Sequence, residues 1–133
     1  MPVVRLAARI ERRGRLLLKR IPTGKANAGL FEFPAITVFH GSRDSGPPPS
    51  RVSAPARRRF ERRFATEYGS RLKAGPLIAR VNHSITHHRI ALLLLDGTLR
   101  EPVSRGAPWA WLTSAQANDH AVTAATRKLL ARL

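Results

Sequence analysis

The side chains able to do chemistry in this sequence are few, and their spacing points to binding rather than catalysis. Only 8 residues are Asp or Glu, against 24 Lys and Arg. Glu61 and Glu67 fall on one expected helix but six residues apart, which at about 100° per residue places them about 120° apart around its axis. They cannot easily share one metal ion. His83, His87 and His88 lie near one another without a neighbouring acid, and they read as a polar rim rather than a zinc site. Cysteine is absent, which excludes a disulfide, a thiolate metal site, a cysteine nucleophile and an iron–sulfur cluster in this chain. No catalytic residue and no metal ligand set is expected.

The cations are the stronger signal. A net charge of +16 with a pI near 12 costs self-repulsion unless a polyanion offsets it, which points to nucleic acid. All the basic residues except Lys19, Lys25, Lys73 and Lys128 are arginine, whose planar fork grips phosphate better than an ammonium does. GC-rich codon usage accounts for that ratio equally well, but not for the scarcity of acids. Arg58, Arg59, Arg62 and Arg63 share one arc of the expected helix, opposite a stripe of Ala56, Phe60, Phe64 and Tyr68. That arc reads either as a weaker DNA-backbone contact or as a solvated helix face.

The elements that must position these groups follow from periodicity and turn chemistry. Residues 3–11 and 15–21 read as a β-hairpin turning at Arg12-Arg13-Gly14, residues 22–29 as a loop, and residues 30–34 as an extended piece stopped by proline. Residues 36–39 continue it. Residues 41–53, rich in Gly, Ser and Pro, predict a mobile loop inside one domain spanning 1–133. A helix is predicted over 55–68, capped by Ser53 or Ala54 and stopped by Gly69. Residues 71–83 read as a strand broken near Gly75-Pro76, 82–88 as a polar loop, and 89–95 as a buried strand followed by a turn at Asp96-Gly97. Residues 109–112 predict a last strand, on which Trp109 and Trp111 alternate so that one faces solvent. Residues 122–133 predict a closing helix with Val122, Ala125, Leu129 and Leu130 inward. Phe31, Phe33, Phe60 and Phe64 are expected in the core. The longest apolar run, 90–95, is far below the roughly 20 residues of a membrane span, so neither a membrane helix nor a signal peptide is expected.

In that order, Gly14 to Arg20, the run Gly29-Leu30-Phe31-Glu32-Phe33-Pro34 and a Glu-Tyr-Gly ending the helix resemble a Nudix domain. Within that superfamily the chain looks most like the C-terminal domain of MutY-type adenine DNA glycosylases, which read Gly-Leu-Trp-Glu-Phe-Pro at Gly29 to Pro34. That family has a Phe-Ser-His turn where this chain has Ile85-Thr86-His87, and its end resembles Trp109-Ala110-Trp111-Leu112 and Arg127-Lys128-Leu129-Leu130. The resemblance runs nearly end to end and implies a Nudix-like α/β/α sandwich with a mixed β-sheet.

The hydrolytic Nudix helix reads Arg-Glu-apolar-x-Glu-Glu-x-Gly, so that its carboxylates hold magnesium against a pyrophosphate. On residues 62–69 two of its three acids are Arg63 and Thr66, and the double glycine after the proline is Ala35-Ile36. The resemblance therefore implies recognition instead of hydrolysis: double-stranded DNA carrying 8-oxoguanine opposite adenine is read while a glycosylase domain, linked or separate, removes the adenine. The iron–sulfur cluster belongs to that other domain, and the implied setting is the bacterial cytoplasm at the nucleoid. Oxidation makes guanine N7 a donor, and Thr86, at the position of the family's serine, carries a hydroxyl able to accept from it. His87 would bond a phosphate or the damaged base, and Ile85 keeps an apolar wedge. His88 and Arg89 complete the implied lesion and DNA contacts. Two rivals stand beside this reading, a diverged Nudix hydrolase of oxidised nucleotides and a basic, ribosome-associated RNA-binding Nudix-like protein.

Overall fold

The computed structural model describes residues 2–40, 52–85 and 88–133. Its elements run β1 (Pro2–Arg12), β2 (Arg15–Arg20), β3 (Phe31–Glu32), β4 (Ala35–His40), α1 (Ala54–Tyr68), β5 (Leu72–Ile85), β6 (His88–Leu99), β7 (Trp109–Leu112), α2 (Ser114–Asp119) and α3 (Ala124–Leu130). The seven-stranded sheet has the order β3-β2-β1-β6-β5, with β4 added on β1 and β7 on β2. β1 and β6 run parallel and the other pairs antiparallel, so the sheet is mixed.

β1 organises the whole. Its first part lies between β4 and β6, while Glu11 and Arg12 pair with β2 across a turn in which Arg13 (φ 53°) and Gly14 (φ 76°) are both left-handed. That conformation matches the twist of a two-residue hairpin. Side chains alternate along a strand, and both faces of this sheet are covered. Val4, Leu6, Ala8 and Ile10 of β1, with Ala91, Leu93 and Leu95 of β6, pack against Phe60 and Phe64 of α1. Ala7, Leu92 and Leu94 face the other way, against Ala125, Leu129 and Leu130 of α3. The expected sandwich is thus present, and the unbroken apolar run of β6 is explained by burial on both sides.

α1 begins at Ser53, whose hydroxyl accepts from Ala56 N at 3.2 Å, and ends at Gly69 (φ 73°), whose N–H reaches Ala65 O at 2.9 Å. Phe60 and Phe64 are fully buried. An edge-to-face series continues from them through Tyr68 to Trp109, with centroids 5.9, 4.7 and 5.3 Å apart, and Tyr68 Oη donates to Ala35 O. The four expected core phenylalanines, Phe31, Phe33, Phe60 and Phe64, are all buried.

Several expectations are corrected. Of the loop expected at 82–88, residues 82–85 and 88 are strand instead: β5 runs to Ile85, β6 starts at His88, and these two residues pair. The polar composition is overridden by the cross-strand ladder, in which Asn82 pairs with Ala91, His83 with Ile90 and Ser84 with Arg89. Asp96-Gly97 is not a turn but part of β6, opposite Arg9 and Ile10. Arg9 Nη2 donates to Asp96 Oδ1 at 3.3 Å, and a Cβ on Gly97 would meet Leu72 Cδ1 at 2.9 Å, so this glycine serves close packing. Trp109 and Trp111, two residues apart on a strand, share one face, and both are half-buried against the α1 side of the core. The closing helix is shorter than expected. Val122 bridges Phe31, Thr123 caps α3, and α2 precedes it. Of the loop expected at 41–53, residues 41–51 lie outside the described residues.

Candidate nucleic-acid interface

The β5–β6 hairpin projects from the end of the sheet where β1 begins, since Pro2 pairs with Arg89 and Val3 with Ile90. Of the residues singled out there, Ile85 and His88 are the last and first residues of their strands, and Arg89 is exposed. Thr86 and His87 lie outside the described residues.

Beside the hairpin, on the α3 face, is a polar depression of about 260 Å³ lined by Arg5, Asn27, Glu32, Phe33, His83, Ser84, Thr123 and Thr126 among others. Strand alternation puts Arg5 on this face together with Ala7. Its guanidinium pairs with Glu32 at 3.7 Å, both being mostly buried. The opposite wall is held rigid by the α3 cap: Thr123 Oγ1 accepts from Thr126 N at 3.1 Å and donates to Thr126 Oγ1 at 2.7 Å. His83 Nε2 is buried and has no hydrogen-bond partner among the described residues. Burial first, and then the charges of Arg5 and Lys128, holds the His83 imidazole below its ordinary pKa. A second depression of about 260 Å³ is lined by Asn82, His83, Ser84, Arg89 and Ile90. His83 and Ser84 therefore line both.

The site is wider than the sequence reading made it. Arg5, Glu32, Ser84 and Thr123 were missed, although Arg5 and Ser84 interrupt otherwise apolar or β-prone stretches, which was the available signal. The structure does not bring the α1 arginines to the depression. They lie across the sheet, on the face where α1 packs. All four are exposed, yet they differ. Arg59 Nη1 donates to Val38 O at 2.9 Å and Arg63 Nη1 to Thr37 O, whereas the side chains of Arg58 and Arg62 make no bond to a described residue.

The residues present on α1 do not fit the magnesium of the hydrolytic pattern. Glu61 is engaged, since its Oε2 accepts from Ala74 N at 2.9 Å. Thr66 Oγ1 donates to Arg62 O at 3.1 Å. Glu67 is the one acid of the pattern left, and it stands one helical turn from the Arg63 cation. Among the described residues no group of three or more His, Cys, Asp or Glu side chains is placed to hold a metal ion, and no helix is long and apolar enough to cross a membrane.

The sequence pattern of the NUDIX domain matches residues 5–132. No curated protein matches the chain significantly in sequence. Solved structures similar to this chain include the E. coli ORF135 protein, at 24% identity over 98% of this chain and 87% of that one, with a TM-score of 0.70. The MutT protein from Methanosarcina mazei Go1 is 20% identical over 98% of this chain and 91% of that one, with a TM-score of 0.74. The C-terminal domain of mouse MUTYH, in its complex with human PCNA, is 20% identical over 98% of this chain and 86% of that one, with a TM-score of 0.60. At these identities the likeness is one of fold.

Proposed function

The chain belongs to the NUDIX domain family, and from that premise we propose that it is a binding rather than a hydrolytic member, a domain that recognises 8-oxoguanine opposite adenine in double-stranded DNA. The observation that carries this reading is Arg63: a cation bonded to Thr37 O stands where the hydrolytic pattern has an acid. The surplus of arginine then supplies phosphate contacts that hold the duplex without reading its sequence. The resemblance of residues 29–34 and 85–87 to the MutY-type domain, and the shared fold with the MUTYH domain, support DNA carrying a lesion as the ligand.

The chemistry of reading is modest. Guanine N7 accepts a hydrogen bond, whereas the oxidised base donates from N7–H, so the Thr86 hydroxyl discriminates between them once its own proton is given to another acceptor and only its lone pairs face the base. Ile85 is the apolar wedge, and His87, His88 and Arg89 bond the base or its phosphates. Adenine extraction on the other strand, with its base flipping, is the work of a glycosylase domain.

The test is equilibrium binding to duplexes containing 8-oxoguanine:adenine or guanine:adenine, for the wild type and Thr86→Val, across a salt series. The wild type prefers the lesion, and Thr86→Val loses about tenfold of that preference with the salt slope unchanged. Equal affinity for both duplexes, with tighter binding to structured RNA, would remove DNA lesions as the ligand. The depression beside Arg5 and Glu32 favours one other reading, a diverged hydrolase holding an oxidised nucleotide. Magnesium-dependent release of phosphate or pyrophosphate from an oxidised nucleoside triphosphate would establish it.

A further inference from the structure

In β4 the register against β1 slips. Val4 faces Phe39 and Arg5 faces Thr37, which leaves Val38 as an extra residue without a partner on β1. Successive carbonyls of a regular strand point to opposite sides, and a bulge is what lets two neighbouring ones serve the same side. Here the carbonyls of Thr37 and Val38 are both taken from α1, by Arg63 and Arg59 respectively. These arginines are four residues apart and so adjacent on one face of the helix. The bulge and the arginine spacing act together: two arginines one helical turn apart take neighbouring carbonyls of the bulged strand.

A carboxylate and a carbonyl oxygen are both acceptors, so an acid at position 63 could not hydrogen-bond Thr37 O directly and would need a water or a cation between them. A guanidinium carries the positive charge and the donors in one side chain. We propose that Arg59 and Arg63 clamp α1 to the bulge of β4 by direct hydrogen bonds, and that the clamp, by fixing the Arg63 charge one turn from Glu67, keeps a divalent ion off this face of the helix. An ion approaching Glu67 would meet the Arg63 charge one turn away, while Glu61, the other acid of α1, is committed to Ala74 N. The clamp also divides the arginine arc by task. Arg59 and Arg63 fasten the helix, and Arg58 and Arg62 remain for an outside anion. None of this depends on what the hairpin binds.

The experiment is thermal unfolding of the wild type, Arg59→Gln, Arg63→Gln, Arg63→Lys and the double variant Arg63→Glu/Thr66→Glu. Each is measured in EDTA and in millimolar Mn²⁺, with Mn²⁺ binding followed by electron paramagnetic resonance. The wild type is expected to unfold at the same temperature in both conditions. The two Gln variants unfold about 3 °C lower in both, and Arg63→Lys, which keeps a charged donor, falls nearer the wild type. The double variant, with acids at positions 63, 66 and 67, binds Mn²⁺ and is stabilised by it. Wild-type stabilisation by Mn²⁺, Gln variants as stable as the wild type, or a folded double variant indifferent to Mn²⁺ would each overturn the proposal. Should the double variant fail to fold in either condition, the comparison of Arg63→Lys with Arg63→Gln decides, and equal stability of those two counts against the clamp. A DNA-binding assay moves independently of these readouts, so loss of the lesion-reading proposal leaves this one standing.

Discussion

His83 is the titratable side chain on which the depression's electrostatics converge. It has burial, Arg5 and Lys128 against its proton, and so its folded-state pKa lies below the ordinary value of about 6.5. As pH falls, the unfolded chain takes up the proton first. The contribution of His83 to stability is therefore complete above about pH 6.5 and declines as pH drops toward the lower folded pKa. Wild-type unfolding temperature should fall between pH 7 and pH 5, and His83→Asn should flatten part of that fall; identical pH profiles would show that His83 does not titrate as argued. Residues of this kind were only partly legible in the sequence. His83 was visible as part of a histidine-rich stretch, but its placement against Arg5 requires β1 and β5 to meet around β6, which no local pattern announces. Thr86 and His87 rest on motif resemblance alone.

Elements were legible where capping and periodicity agree. Ser53, Pro55 and Gly69 mark both ends of α1, and the spacing of Phe60 and Phe64 gives its buried face. Truncating Phe64 to Ala removes a fully buried ring from an aromatic series and should cost about 3–5 kcal/mol in urea unfolding; a loss below about 1 kcal/mol would mean that the site collapses without penalty. Elements were misread where long-range pairing overrode a local signal. Asp96-Gly97 has turn composition, yet β1 pairs with both residues and β5 pairs with Gly97, which holds the segment in the sheet. α2 was missed although its signature was present: Thr113 and Gln116 form a capping box, with Thr113 N donating to Gln116 Oε1 at 2.9 Å and Gln116 N to Thr113 Oγ1 at 3.1 Å.

At the scale of the molecule, motif order conveyed the family and the layered fold, because a Nudix-like chain order admits few arrangements. It could not show that the α1 arginines and the polar depression occupy opposite faces, since that depends on strand parity. Charge acts across the whole surface, and +16 makes any nucleic-acid affinity steeply dependent on salt. Replacing Arg58 and Arg62 together by Gln should reduce the slope of log affinity against log salt by up to about 2 while leaving lesion preference and unfolding temperature unchanged. A slope equal to the wild type's would assign α1 to solvent. The tryptophans add a practical consequence. Both stand on β7, which pairs with β2, next to the end of β1 opposite the hairpin. At about 3.3 Å per residue, the length of β1 separates Trp111, under the Arg12 guanidinium, from Arg89 by on the order of 30 Å. Intrinsic emission from this protein therefore reports loosening of the α1–β7 junction and stays silent when a ligand docks at the hairpin, so optical titrations of binding need a label placed at the far end.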